Sequence, residues 1–302
     1  MAQDLKPLGD DSLGNFNLAL TKRYNFDKIF AIAAWVGICF GLAILAVLLI
    51  DVFLDGLPRL DWQFITSPPS RKPDQAGIFP PLIGSVWLLV VTAMVSFPLG
   101  VGAGIFLEEY ATDNLLTQII EINIANLAAV PSIIYGLLGL TVFVRWLKPI
   151  TNGTSILSGA LTLSLLILPI IIVVTRESLR AIPNSLRQAG YALGATRWQV
   201  IREHIFPLAL PGILTGTILA LSRAIGETAP LITIGALSFI TSAPTGLQSQ
   251  FTALPIQIYR WISLPQAEFH TNAAAAIVML MVVLLVMNAG AIFLRNKFQS
   301  NR

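Results

Sequence analysis

Six long apolar segments constrain this chain more than any other feature. The first, 29–50, has 22 residues without a charged side chain, and about 20 apolar residues are enough to cross the hydrocarbon core of a bilayer as a helix. Charged residues make up 12% of the chain, which is about half of their usual share in soluble domains. We therefore predict an all-α integral membrane protein with six transmembrane helices.

The polar segments between the spans give the organisation of the chain. Six spans place both termini on one side of the membrane, and twelve of the nineteen lysines and arginines lie on that side, against six on the other. This excess of positive charge predicts that both termini are cytoplasmic. The predicted segments are a cytoplasmic tail at 1–28, a first transmembrane helix at 29–53, an external loop at 54–80, a transmembrane core at 81–295 that includes a cytoplasmic loop at 176–207 and an external loop at 241–270, and a cytoplasmic end at 296–302. Within the last external loop, we expect the aromatic-rich stretch 251–265 to lie along the membrane surface.

Several reaction classes lack the residues that they need. The single cysteine, Cys39, lies in the first span, and the two histidines, His204 and His270, are far apart, so neither a disulfide nor a metal site is predicted. The sequence contains no H-E-x-x-H or G-x-S-x-G motif. None of its six lysines follows a glycine, as the phosphate-binding loop of an ATPase requires. We predict no catalytic residue and no bound cofactor, so that any ATP and magnesium must bind to a partner chain.

The cytoplasmic loop has the pattern of two helices joined by a glycine. Pro183 suits the first turn of a helix, and Gly194 suits a left-handed helix end. Thr196 and Gln199 have the spacing of a capping box, which predicts a second helix from Arg197. We interpret this folded element between two spans as a docking site for a partner protein.

Two spans contain signals for a helix break within the membrane. The third span is predicted at 119–147 and is interrupted at Pro131, in the string AVPSIIYGLLG. The fifth span is predicted at 208–240 and contains the string SRAIGETAPL at 222–231. Broken helices are tolerated where neighbouring groups or a water-filled cavity satisfy the freed backbone atoms.

The second break combines a basic and an acidic residue. Arg223 and Glu227 are four residues apart, so their side chains can touch on a helix. Pro230 cannot donate a hydrogen bond to the carbonyl of Gly226, which weakens the helix between them. Ionisable groups inside a bilayer are costly and mark either a pathway or a structural pair. Because the arginine fork suits a tetrahedral oxyanion, both interpretations are open: a pair that fixes packing, and a path for anions.

The cytoplasmic loop resembles a motif shared by the permeases of ABC importers. Their consensus is E-A-A-x3-G-x9-I-x-L-P, and Ala189, Gly194 and Pro207 match it at the right spacing. The chain departs from the consensus at four positions, which are Gln188, Gly190, His204 and Phe206. The resemblance implies that 187–207 docks against an ATPase. The residues to which it assigns this coupling role are Gln188, Ala189, Gly194, Ala195, Thr196 and Pro207.

Three strings together resemble the PstA-type permeases of bacterial phosphate ABC importers. They are AVPSIIYGLLG, SRAIGETAPLI and FTALPIQIYRW, and the similarity extends over 80–295. After Gly-Glu-Thr the chain continues with Ala-Pro-Leu, where the sister PstC-type permeases typically have Met-Ala-Val. The resemblance implies a type I importer fold (MetI-like) and a phosphate path at Arg223, with Glu227 and Thr228 beside it. Arg176, at the cytoplasmic mouth, is either an anion exit site or an anchor at the membrane surface.

The same resemblance implies a complex in the bacterial inner membrane. The expected partners are a sister permease of the PstC type, a dimer of PstB-type ATP-binding subunits and a periplasmic phosphate-binding protein of the PstS type, within a lipid bilayer and without nucleic acid. Several alternatives are open. The chain could be the sister permease or a permease for another oxyanion. It could also be an ATP-independent anion transporter, or an intramembrane enzyme or assembly factor.

Overall fold

The computed structural model of the chain describes residues 11–112, 114–236 and 239–300, without the side chains of 11–23, 294 and 297–300. Within these ranges the regular structure is entirely helical. The α-helices are α1 (Asp11–Gly56), α2 (Trp62–Thr66), α3 (Phe79–Ile105), α4 (Leu115–Ala128), α5 (Ser132–Gly139), α6 (Lys148–Thr151), α7 (Ile156–Arg180), α8 (Asn184–Ala192), α9 (Arg197–Val200), α10 (Phe206–Gly226), α11 (Ala229–Thr233), α12 (Leu254–Ile262) and α13 (Ala267–Ser300). Wider π-helical turns follow three of them, at Phe106–Tyr110, Leu140–Trp146 and Ile201–Ile205.

The chain divides into two compact units, 1–54 and 55–302. The described part of the first unit lies within α1, which ends two residues beyond it and contains an apolar stretch with a mean hydropathy of 2.7. Residues 1–10 of the predicted tail lie outside the described residues, and the rest of that tail continues α1 as a helix. The predicted cytoplasmic end is described as far as residue 300 and continues α13 in the same way.

Five helical segments are long and apolar enough to cross a membrane. They are Tyr24–Arg59, Phe79–Tyr110, Ile156–Arg180, Arg197–Gly226 and Ala267–Phe293. The helices Leu115–Ala128 and Ser132–Trp146 form a sixth span if they are taken together, and they meet at an angle of 101°. The predicted all-α membrane fold is therefore confirmed, and its third span is sharply bent at Pro131, where the sequence predicts an interruption.

Helix α7 lies at the centre of the second unit. Of its apolar window 67% is buried, against 33% or less for the other unbroken spans. Helix α3 approaches it through Gly100 and Gly104. A Cβ atom at Gly100 would lie 2.6 Å from Ile171 Cγ2, and one at Gly104 would lie 2.6 Å from Thr175 Cβ. The glycines therefore allow the two backbones to pack closely, which is the role that their four-residue spacing predicts.

Each broken span restarts as a new helix at a proline. Pro131 caps the N-terminus of α5, and Pro230 lies in the first turn of α11. Both positions suit proline, because the amide hydrogen that it lacks has no partner in a first helical turn. In the fifth span, predicted at 208–240, the break lies where the sequence predicts it: α10 ends at Gly226, and the backbone of Glu227 is extended, with φ −77° and ψ 110°.

The two broken spans contact each other. The hydroxyl of Tyr135 donates a hydrogen bond of 2.7 Å to the carbonyl of Leu127, which connects α5 to α4 across the bend. Helix α5 then packs on α11 through Gly136. A Cβ atom at Gly136 would lie 2.8 Å from Pro230 Cα. The string AVPSIIYGLLG therefore supports the segment that follows Arg223 and Glu227.

The aromatic-rich segment 251–265 contains α12, which packs one face on the rest of the protein. Helix α12 buries Trp261, whose ring centroid lies 5.9 Å from that of Phe64 and 6.4 Å from that of Phe269. Leu254 and Ile256 of the same helix are also buried. Helices α13 and α3 cover one face of α12, whereas Tyr259 and Ile262 remain exposed.

Candidate functional site

Arg223 and Glu227 meet at the end of α10. Arg223 lies in the last turn of the helix, and Glu227 follows its last residue, Gly226. The Nε atom of Arg223 donates a hydrogen bond of 3.4 Å to Glu227 Oε1. The sequence predicts this contact on a helix, and the structure forms it across a helix end. Thr228 follows directly and is half-buried, and its carbonyl accepts a hydrogen bond from the first turns of α11.

The guanidinium of Arg223 keeps most of its donors unused. Glu227 accepts a hydrogen bond from Nε alone, and within the described residues neither terminal amino group of Arg223 has a protein partner. The side chain of Arg223 is 51% exposed, whereas that of Glu227 is 20% exposed. The two amino groups therefore present a planar fork that matches two oxygens of a tetrahedral oxyanion.

Arg223 belongs to an exposed stripe along one face of α10. The stripe consists of Leu208, Gly212, Leu219, Arg223 and Gly226. Their separations of three, four and seven residues place them above one another on the helix. A half-exposed arginine in an apolar span is costly against lipid. The stripe is therefore suited to a water-filled path or to a second protein subunit.

A polar contact between two spans positions the end of α10. Ser222 donates a hydrogen bond of 2.7 Å to the amide oxygen of Asn288, in α13. Sequence reasoning missed this pair, although a lone amide in an otherwise apolar span is the signal that could have indicated it. The contact fixes the position of the residue that precedes Arg223.

The space behind the helix break is too small for an oxyanion. A cavity of about 10 Å³ lies there, which is about the volume that one water molecule needs. The residues that line it include Leu88, Thr92, Leu163, Ala224 and Leu231. Arg223 is exposed on the surface of the chain instead, so an anion would meet it there.

Arg176 is engaged by carboxylates rather than open to solvent. Its Nη2 atom lies 2.5 Å from Glu121 Oε1, and its Nε atom lies 3.4 Å from Glu108 Oε2. The side chain is mostly buried. These contacts connect α7 to α4 and to the π-turn after α3.

Two further arginines pair with the same acidic turn. Arg180 contacts Glu108 at 2.9 Å, and Arg187 contacts Glu109 at 2.6 Å. We did not predict these pairs from the sequence. The available signal was the presence of acidic and basic groups on the same predicted side of the membrane. Together they join the end of α3 to the end of α7 and to α8.

The predicted docking element, 187–207, has the local motifs that the sequence predicts, but Pro207 does not end it, because the helix that begins at Arg197 continues into α10. Gly194 has φ +80° and follows α8 in the left-handed conformation. The capping box is complete, because Thr196 Oγ1 accepts a hydrogen bond from the Gln199 amide and Gln199 Oε1 accepts one from the Thr196 amide. Pro183 precedes α8 as its N-cap, one position before the first helical turn.

The contact between the two short helices explains one departure from the consensus. A Cβ atom at Gly190 would lie 2.6 Å from Val200 Cγ2, so a second alanine does not fit here without a shift. Of the residues predicted to couple this element to an ATPase, Gln188, Ala189, Gly194 and Thr196 are exposed and Ala195 and Pro207 are half-buried. Leu193 and Trp198 add exposed apolar surface to it. The element is thus compact and presents a mixed polar and apolar surface.

The family of the chain follows from a match over two-thirds of its length. Residues 96–298, which include the docking element and the Arg223 break, match the model of the binding-protein-dependent transport system inner membrane component. The chain belongs to this family of ABC transporter permeases. It is therefore an integral protein of the inner membrane, and the resemblance that the motifs indicate is confirmed.

Individual relatives align with most of this permease. A probable ABC transporter permease protein, YqgI of Bacillus subtilis, is 34% identical over 83% of the chain and 91% of its own length. The phosphate transport system permease protein PstA of Haemophilus influenzae is 30% identical over 95% of the chain and 99% of its own length. A bacterial ABC transporter structure involved in alginate import is 16% identical, with a TM-score of 0.62 over 92% of the chain and 99% of its own length. This structural likeness supports only the fold, which is that of an ABC importer permease.

Proposed function

We propose that this permease carries inorganic phosphate in an ATP-driven importer. The observation that carries the proposal is the unused guanidinium fork of Arg223, on an exposed stripe inside an apolar span. Such a fork binds oxyanions, and relatives about 30% identical are phosphate transport permeases by name. The stripe of α10 would line the path, with Glu227 and Thr228 next to the bound anion.

The exposed stripe requires a cover, and we propose that a sister permease of the PstC type supplies it. The docking element would contact a dimer of PstB-type ATP-binding subunits, where ATP and magnesium bind. A periplasmic PstS-type protein would deliver phosphate from the other side. In this arrangement the permease binds no cofactor itself and carries out no chemistry on its substrate.

Transport would follow from the movement of rigid helices. ATP closes the ATPase pair and displaces the docking element on each permease. The spans then change from an inward-open to an outward-open arrangement, and phosphate enters between the two permeases. Arg223 holds the anion through its two amino groups until the path reopens towards the cytoplasm.

Glu227 would favour phosphate over sulfate. Its carboxylate is next to the fork and can accept a hydrogen bond. Phosphate at neutral pH carries a proton that it can donate, whereas sulfate carries none. A sulfate ion at the same place would bring two negative charges to the carboxylate without a hydrogen bond in return.

Equilibrium binding of labelled phosphate to the purified permease–ATPase complex, without the binding protein, tests this role. We expect Glu227→Gln to let sulfate compete for the site at least about tenfold better than in the wild type, because one charged hydrogen bond contributes about 1.5–3 kcal/mol. Thr233→Val, which alters a hydroxyl in α11 that bonds within its own helix, serves as the control. Unchanged phosphate binding and unchanged competition by sulfate in Glu227→Gln would contradict the proposal.

The second candidate function is the transport of another oxyanion, because a guanidinium fork binds sulfate or molybdate by the same contacts. The same binding measurement separates the two. A wild-type complex that binds another oxyanion more tightly than phosphate would favour this candidate.

A further inference from the structure

One arginine fastens the first turns of α8 to two transmembrane helices. Arg187 donates from Nη2 to Glu109 Oε1 at 2.6 Å, and from Nε to both carboxylate oxygens at 3.2 and 3.3 Å. It also donates from Nη1 to the carbonyl of Ile182 at 2.9 Å, and from Nη2 to the carbonyl of Leu179 at 3.0 Å. All three guanidinium nitrogens are therefore engaged.

This pair differs from its neighbours in burial. Glu109 is only 4% exposed and Arg187 is 13% exposed, whereas the adjacent Arg180, which pairs with Glu108, is 55% exposed. Exposed ion pairs contribute little, but removal of one partner from a buried pair leaves a charge that nothing compensates. The Arg187–Glu109 contact therefore resists separation when a force acts on α8.

The elements that the pair joins are themselves rigidly packed. Glu109 lies in the π-turn that follows α3 without interruption. Helix α3 is in close contact with α7 at Gly104, and the two carbonyls that Arg187 binds belong to the end of α7 and the residues just after it. By contrast, only residues 181–183 connect α7 to α8 along the chain.

We propose that the Arg187–Glu109 ion pair transmits movement of the docking element to α3 and α7. The inference rests on the proposed function to the extent that 187–207 docks against the ATPase. Without the pair, α8 would follow the ATPase while the three-residue connection absorbed its displacement. Arg187 and Glu109 are thus positioning residues, since they touch neither the anion nor the nucleotide.

The test uses the complete complex with its sister permease and ATP-binding subunits. A cysteine replaces Leu99, an exposed residue of α3, in a Cys39→Ala background, and its labelling by a water-soluble maleimide is measured with and without a non-hydrolysable ATP analogue. ATPase activity and complex assembly are measured in the same preparations. Labelling reports movement of α3 whatever the substrate is, so failure of phosphate transport in the wild type would count against the proposed function alone.

We expect the Glu109→Gln and Arg187→Gln variants to hydrolyse ATP, but their nucleotide-dependent change in labelling to be at least about fivefold smaller than that of the wild type. A factor of about five is the lower end of the usual coupling between two sites. Arg180→Gln, which makes the same change at the exposed neighbouring pair, is expected to retain the labelling change. Glu109→Asp and Arg187→Lys keep the charges, and we expect an intermediate loss in assembled complexes even if the glutamine variants do not assemble.

Two results would overturn the inference. One is a nucleotide-dependent change in labelling that is as large as in Arg180→Gln, whether it is found in Glu109→Gln, in Arg187→Gln or in the charge-conserving variants. The other is a parallel loss of ATPase activity and of the labelling change, because a contact that only holds the fold together would lower both equally.

Discussion

Single polar side chains determine how the spans of this permease are held together. Tyr135 bonds the backbone of α4 across the bend, and Ser222 bonds Asn288 between α10 and α13. Arg187 and Glu109 join α8 to the end of α3. Each of these groups would be costly if it were left without a partner in an apolar surrounding.

The contact between Ser222 and Asn288 can be measured by a double-mutant cycle. We expect Ser222→Ala and Asn288→Ala each to lower the stability of the purified permease, and the double variant to lose less than the sum of the two losses. The expected coupling energy is about 0.6–1.7 kcal/mol, as for hydrogen bonds between other membrane helices. Thermal unfolding in detergent provides the measurement, and strictly additive losses would show that the two side chains do not interact.

Contacts between individual residues also differ in how well the sequence predicts them. Arg223 and Glu227 were predicted as a pair because they are four residues apart, and local geometry is enough for such a pair. The contact between Arg187 and Glu109 joins residues 78 positions apart. It depends on how the spans are arranged, so periodicity along the chain could not indicate it.

At the scale of elements, glycines and prolines decide where helices approach and where they end. The capping box at Thr196 and the left-handed Gly194 were predicted correctly because both are local motifs. Pro230 signalled a break in the fifth span, but a proline alone does not show whether a helix bends or ends. The structure ends α10 at Gly226, and this brings α11 against α5.

The close approach of α3 and α7 gives a prediction with a built-in control. Gly104→Ala would place a methyl group 2.6 Å from Thr175 Cβ and 3.1 Å from the Ile172 carbonyl. We expect it to destabilise the permease by about 1–3 kcal/mol, as overpacking does. Gly102→Ala on the same helix meets no described atom within 4 Å and is expected to leave the melting temperature unchanged or slightly raised. Equal melting temperatures for the two variants would contradict the packing.

At the scale of the whole molecule, the sequence predicts the number of spans and the family better than the arrangement of the spans. Apolar length alone gave the six segments, because each needs enough apolar residues to cross the bilayer. The 101° bend of the third span and the central position of α7 depend on contacts between distant helices. The proposed path lies on an outer face of this subunit, where a single chain shows a surface rather than a cavity.

The central claim is that Arg223 binds the transported phosphate, and uptake into proteoliposomes that contain the complete complex tests it most directly. We predict that Arg223→Gln lowers ATP-dependent phosphate uptake by at least about tenfold, since a charged hydrogen bond contributes about 1.5–3 kcal/mol, and that Arg223→Lys retains part of it. Thr233→Val, which alters a hydroxyl that bonds within α11, is the control and should transport like the wild type. Uptake by Arg223→Gln at the wild-type rate, with equal amounts of assembled complex, would contradict the account.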